Sequence, residues 1–160
     1  ARQLAYVAGH FRQSFSVVDV SDPDDPVVRG ALTSYTFRGA TGVAYDSARQ
    51  LAYVTGSDAD IQTTPTVHSF VVVDVSDPDS PVVVGCVKDS TNYMGVPYGV
   101  AYDSARQVAY VAGQTSQALA VVDVHAGFNN IKKTDVLYRD QKSISLPDAV
   151  GDIITRKLFG

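Results

Sequence analysis

The sequence predicts an all-β protein assembled from tandem four-stranded units, and three observations lead there. Short modules recur in a fixed order along the chain. These modules are rich in valine and tyrosine and are bounded by Gly, Pro, Asp and Ser, the pattern of strands joined by tight turns. All 17 acidic residues are aspartate. Glutamate favours helices, whereas aspartate competes for nearby backbone groups and favours turns.

The repeat is explicit. ARQLAYVAG at residues 1–9 returns as ARQLAYVTG at 48–56 and as ARQVAYVAG at 105–113, spacings of 47 (1 to 48) and 57 (48 to 105) residues. VVDV recurs at Val17, Val72 and Val121, and GVAYDSARQ at Gly42 and Gly99, while VVRG at Val27 matches VVVG at Val82. The order never changes, so this is a tandem repeat. Each unit reads as four β runs. GVAYD is the first, and the turn SARQ leads to the second, LAYVAG. A variable loop leads to the third, FSVVDV or FVVVDV; the turn SDPD-P leads to the fourth, PVVRGAL or PVVVGCV. Proline fixes φ in that turn and removes a donor. Several runs are apolar at consecutive positions, so these strands are expected to be covered on both faces. Four antiparallel strands per unit, each small sheet stacked on its neighbours, describe a β-propeller blade.

The succession AYV-A/T-G, VVDVSDP-x-x-P, VVxG resembles the LVIVD repeat, a β-propeller repeat, over residues 1–124. The resemblance implies a blade-forming repeat and no single enzyme activity. The expected organisation is tandem blades over 1–124, with units near 1–47, 48–104 and 105–124, and a non-repeat tail over 125–160. Propellers use about four to eight blades, so about two and a half to three blades make an incomplete ring. The chain begins with alanine inside a repeat. The expectation is a segment of a longer propeller, its missing blades supplied by the rest of the chain or by another subunit.

After the third VVDV the SDP turn is replaced by HAGFNN at 125–130. The tail carries six basic residues to four aspartates, against seven to thirteen before it. TDVLYRD is expected to form a last strand. PDAVGDIITRKLFG is expected to start a short helix at Pro147 and Asp148, with Ile153, Ile154 and Leu158 at helical spacing. A docking or capping tail is the simpler reading, an arm for another subunit the sharper one.

The candidate site residues fall into two groups. Asp19, Asp74 and Asp123 occupy one position in all three repeats. A catalytic carboxylate stamped into every blade is implausible, so these are read as turn residues that accept backbone N–H bonds. Asp22, Asp24 and Asp25, their copies Asp77 and Asp79, and the loop residues Asp58 and Asp60 form acidic clusters. They are read as turn formers first and calcium ligands second. His10, His68 and His125 share no repeat position and no metal-ligand spacing. Cys86 is expected to be a small buried residue. Tyr6, Tyr53 and Tyr110, with Tyr45 and Tyr102, are expected to pack between blades. The residues that differ between copies lie in TSYTFRGAT, its counterpart KDSTNYMGVPY and the long loop after Gly56. From these, Tyr35, Phe37, Arg38, Tyr93, Met94 and Tyr98 are expected to bind a partner, because recognition in repeat proteins resides in variable loops on a constant frame.

No serine elbow, P-loop or zinc motif is present, no cofactor is implied, and the net charge of −4 gives no basic footprint for nucleic acid. No apolar run is long enough to span a bilayer. The leading expectation is therefore a non-enzymatic scaffold for protein–protein interaction, an accessory subunit of a larger assembly. The alternatives are an enzyme or small-ligand-binding propeller with its site at the central channel, and a calcium-stabilised surface or adhesion module.

Overall fold

The computed structural model describes residues 2–58, 67–89, 94–125 and 133–136. In blade 1, β1 (Leu4–Gly9), β2 (Ser14–Asp19) and β3 (Val27–Thr33) form a three-stranded sheet. In blade 2, β4 (Gly42–Asp46), β5 (Leu51–Asp58), β6 (Val67–Asp74) and β7 (Val82–Asp89) form a four-stranded sheet. In blade 3, β8 (Pro97–Asp103), β9 (Val108–Gly113), β10 (Ala118–Asp123) and β11 (Lys133–Val136) form another. Sequential strands pair antiparallel in every sheet, for example Tyr6 with Val17 and Tyr53 with Val72. A 3-10 turn at Tyr35–Phe37 joins β3 to β4. The fold is all-β and propeller-like: an incomplete ring of stacked meanders. β11 overlaps the expected last strand at Thr134–Val136; the helix expected over 147–160 lies outside the described residues.

The repeat extends to irregularities. The β2–β3 register slips between Val17 and Val18, and the β6–β7 register slips between Val72 and Val73, the same place in both copies. The blade 1 bulge brings Gly30 against the next blade, where a Cβ would stand 2.5 Å from Pro81 Cδ and 2.6 Å from the Pro78 carbonyl oxygen. The glycine in VVRG is thus needed for close approach to the neighbouring SDPDSP turn.

Blade 2 is buried on both faces. Ala52, Val54, Val71 and Val73 pack toward Phe15, Val17 and Phe37 at the seam with blade 1. Leu51, Tyr53, Phe70 and Val72 pack toward Ala109, Val111, Ala120 and Val122 at the seam with blade 3. This explains why LAYV and FVVV are apolar at consecutive positions. Each fully buried side chain of this size contributes about 1.5–3 kcal/mol relative to exposure. The repeated tyrosines meet across the seams. The Tyr6 and Tyr45 rings are 4.6 Å apart, and those of Tyr53 and Tyr102 are 5.0 Å apart. Burial and the hydrogen bond to Tyr45 raise the Tyr6 phenol above its ordinary range, and burial does the same to Tyr53.

A polar clamp closes the second seam. Arg49, from the SARQ turn of blade 2, bonds Asp46 Oδ2 at 2.6 Å, the Tyr53 hydroxyl at 2.8 Å, and in blade 3 the Tyr102 hydroxyl at 2.9 Å and the Val124 carbonyl at 2.6 Å. Burial alone would raise the Asp46 carboxyl, but its hydrogen bonds from Arg49 and Tyr102 bring it below 3.8, the ordinary value. Arg106 repeats the local pair, bonding Asp103 at 2.8 Å, in a more exposed setting.

Truncating Arg49 leaves the buried Asp46 without its cation. Arg49→Ala is expected to lower stability by about 2–4 kcal/mol in urea unfolding, and Arg106→Ala by less than about 1 kcal/mol. Because the folded Asp46 pKa is depressed, its contribution is complete above the ordinary carboxylate value and is lost as the pH falls through 3.8 toward the folded value. Wild-type stability should therefore decline over that acidic range, and the decline attributable to Asp46 should shrink in Arg49→Ala.

Candidate functional site

Strand direction sorts the connections into two ends. β1, β3, β5, β7 and β9 run one way and their partners the other, so every SARQ and SDPD-P turn lies at one end of the stack. The opposite end collects the turn at His10–Gln13, the link from β3 to β4 and the entry to β8, which are the segments that differ between repeats.

At the turn end the aspartates close their own turns. Asp19, Asp74 and Asp123 each accept the N–H two residues on, from Ser21 at 3.0 Å, Ser76 at 2.9 Å and His125 at 2.8 Å. Asp22 and Asp77 do the same for Asp24 and Asp79, each at 3.0 Å. Asp79 also pairs with Arg29 of blade 1 at 2.8 Å, which holds its carboxyl below the usual range. Among the described residues no group of three or more His, Cys, Asp or Glu side chains is placed to hold a metal ion.

The loop end carries a cavity of about 330 Å³ that draws on all three blades. Blade 1 supplies His10, Phe11 and Gln13; the link and blade 2 supply Arg38, Gly39, Thr41 and Ser57; the entry to blade 3 supplies Val96 and Tyr98. Thr41 Oγ1 donates to the Pro97 carbonyl and ties the blade 2 entry to the blade 3 entry. Three wall residues have left-handed backbone: Gln13 at φ 53°, Gly39 at 57° and Val96 at 43°. That conformation is a genuine outlier for a β-branched residue.

Of the expected partner-binding residues, Arg38 and Tyr98 meet at this cavity, and Tyr35 stands exposed on the adjoining 3-10 turn. Phe37 and Met94 require correction. Phe37 is buried at the first seam, its ring 6.1 Å from that of Phe15, and Met94 is buried at the second. Apolar residues at the ends of short links between blades fill the seams rather than face a partner. Tyr93 lies outside the described residues, as do Asp60 and the side chain of Asp58. Cys86 also differs from expectation: β7 is an edge strand, and Cys86 is exposed on it.

Beneath the cavity lies a row that sequence reasoning missed. Ser57, His68 and Asp89 sit opposite one another across β5, β6 and β7, all buried. Ser57 Oγ is 3.1 Å from His68 Nδ1, the Val96 N–H donates to the same nitrogen at 3.2 Å, and the Met94 N–H donates to Asp89 Oδ2 at 2.7 Å. A backbone donor at Nδ1 makes that nitrogen the acceptor and places the neutral ring's proton on Nε2. The residue types resemble a nucleophile relay, yet the lone pair facing Ser57 is engaged by Val96, and both acceptors grip the chain entering blade 3. The geometry is that of a clamp holding Val96 in its strained conformation. Its signal in the sequence was positional: after the repeated glycine stand His10, Ser57 and Gln114, so this position departs from the repeat in each blade. Phe11, on the short turn of blade 1, was missed although its copy in blade 3 is Thr115, a difference between repeats that the sequence does show.

Comparison with known proteins agrees with this architecture. The LVIVD repeat matches residues 3–33 and 67–89. Two segments of the chain are therefore similar to the LVIVD repeat. The first match spans β1 to β3 and the second β6 and β7, so the LVIVD module corresponds to the outer strands of a blade. No curated protein matches the chain. Two solved structures share the arrangement. A protein from Lactobacillus plantarum has a TM-score of 0.66 at 16% identity, over 87% of this chain and 38% of its own. A "putative 6-phosphogluconolactonase" from Bacteroides fragilis has a TM-score of 0.59 at 11% identity, over 81% of this chain and 34% of its own. The chain thus spans little more than a third of the length of the structures that it matches, and the likeness is one of fold. No helix among the described residues is long and apolar enough to cross a membrane.

If the row is a clamp, His68→Ala should leave the Val96 N–H without its acceptor. The expected result is loss of hydrogen-exchange protection at the Val96 amide, with a stability loss of about 1–3 kcal/mol, while amides of β1 and β2 keep their protection.

Proposed function

We propose that this chain is a scaffold for protein–protein interaction that works without chemistry of its own, as an accessory part of a larger assembly, and that its recognition surface is the loop end. One observation carries the reading. The most exposed aromatic side chains of the described residues, Phe11 at 93%, Tyr35 at 77% and Tyr98 at 58%, come from three separate segments and all stand at the end where the repeats differ. Large aromatics are costly to leave in water and are the residue type that anchors protein interfaces. The frame supports the reading. Blade stacking and the repeated turns account for most of the pattern that recurs between the units, which leaves the loop end free to vary.

The test is capture of partners from the native source by cross-linking. The triple variant Phe11→Ser, Tyr35→Ser, Tyr98→Ser should lose captured partner by about tenfold or more, with an unchanged thermal midpoint. Asp24→Asn, at the turn end, should retain it. Undiminished capture by the triple variant would overturn the reading.

A further inference from the structure

We infer that a second copy of this chain stacks on the first, blade 3 of each copy against blade 1 of the other, and that the pair closes a ring of blades. The surfaces concerned are the two end faces of the stack, which are separate from the loop end.

Each seam within the chain joins two unlike halves. One half carries the tyrosine of AYV: on blade 2 it is Leu51, Tyr53, Phe70 and Val72, turned toward blade 3. The other half is Ala52, Val54, Val71 and Val73, turned toward blade 1. Side chains alternate between faces along a strand, so every blade bears both halves. Blade 1 turns its tyrosine half to blade 2, through Tyr6, Phe15 and Val17, and blade 3 turns its valine half to blade 2, through Ala109, Val111 and Val122.

One half of each kind is then left over. Blade 1 has Ala5, Val7, Val18 and Val28 where blade 2 has Ala52, Val54, Val73 and Val83. Blade 3 has Val108, Tyr110, Leu119 and Val121 where blade 2 has Leu51, Tyr53, Phe70 and Val72. Ser16, in place of Val71, makes the blade 1 face more polar without adding a charge. The apolar composition is kept but the cover is not. Val54 is fully buried and Val7 is 48% exposed; Phe70 is fully buried and Leu119 is 39% exposed. Among the described residues no further sheet lies on either face.

Two observations select a second copy as the occupant. The halves left over are unlike, so neither face pairs with itself. They pair with each other, head to tail, in a packing that is already built twice inside the chain. The count also closes. Three sheets from each of two copies fall inside the range of about four to eight blades that a propeller uses, and three copies would exceed it. In a closed pair the second seam forms between copies that the first has already joined, where the effective concentration is high.

The test is the mass of the full chain in solution, by sedimentation equilibrium between about 1 and about 100 μM. The expected species has twice the chain mass and grows no further at the highest concentration. Val7→Asp and Leu119→Asp each change an exposed side chain, so circular dichroism should be unchanged, and each should weaken association by about thirtyfold or more. Mixed in equal amounts, the two variants should recover a pair held by one seam, because the Val7→Asp chain keeps its blade 3 face and the Leu119→Asp chain keeps its blade 1 face. Tyr35→Ser, at the loop end, should leave association unchanged, which separates this inference from the scaffold reading. A monomer at every concentration, assembly that continues past two copies, or a mixture of variants that stays monomeric would overturn the inference. If the chain is monomeric and Val7→Asp lowers its thermal midpoint, another segment of the same chain covers that face, and the inference fails equally.

Discussion

Everything in this molecule depends on sheets stacking face to face with no layer of helices between them. A four-stranded meander on its own exposes two apolar faces, and strand pairing does nothing for either. Blade 2 shows the solution: both of its faces are sealed, one by blade 1 and one by blade 3. That constraint explains the consecutive apolar residues of LAYV and FVVV, the paired tyrosines at each seam, and the glycine at position 30 where a neighbouring turn comes too close for a Cβ. It also explains why the sequence repeats at all. A seam is a contract between a residue on one blade and a different residue on the next, so each blade must carry both halves.

Antiparallel pairing then divides labour between the two ends. Because strands alternate in direction, every second connection falls on the same end, and the turns that recur almost unchanged are separated from the links that do not. The aspartates follow the turns. Their carboxylates accept backbone N–H groups two residues on, a structural use that places negative charge at one end as a by-product. The loop end has no such requirement. It is where the exposed aromatics Phe11, Tyr35 and Tyr98 gather, and the Ser57–His68–Asp89 row links it to the frame by gripping the entry to blade 3.

Much of this was legible in the sequence because repetition acts as an internal comparison. Residues present in every copy, such as Asp19 with Asp74 and Asp123, could be read as structural, and the four runs per unit emerge as strands. Repetition was less informative about residues that occur once. Phe37 and Met94 were read as surface anchors because they lie in variable segments, yet both fill seams. Variability of a link does not imply exposure of each side chain in it, since the link must also plug the gap between two sheets. Cys86 misled in the opposite sense: an apolar run on an edge strand alternates between seam and solvent. The His68 clamp went unread for a different reason. Its three members are separated by the long loop and a whole strand, and only the register of β5, β6 and β7 sets them side by side.

The two copies of the Asp-Ser-Ala-Arg turn measure what a neighbouring blade adds. Locally they match: Asp46 and Asp103 each accept the N–H groups two and three residues on, and each holds its arginine, at 2.6 and 2.8 Å. The Asp46 side chain is 1% exposed and the Asp103 side chain 22%. Arg49 also reaches a tyrosine and a carbonyl on the next blade. In water such a pair contributes little. Covered by a neighbour, the same residues become a buried network whose members cannot be removed singly without stranding a charge. The turn is therefore a local device with a second use. It closes a hairpin in any blade and becomes a lock between blades wherever another sheet is stacked upon it.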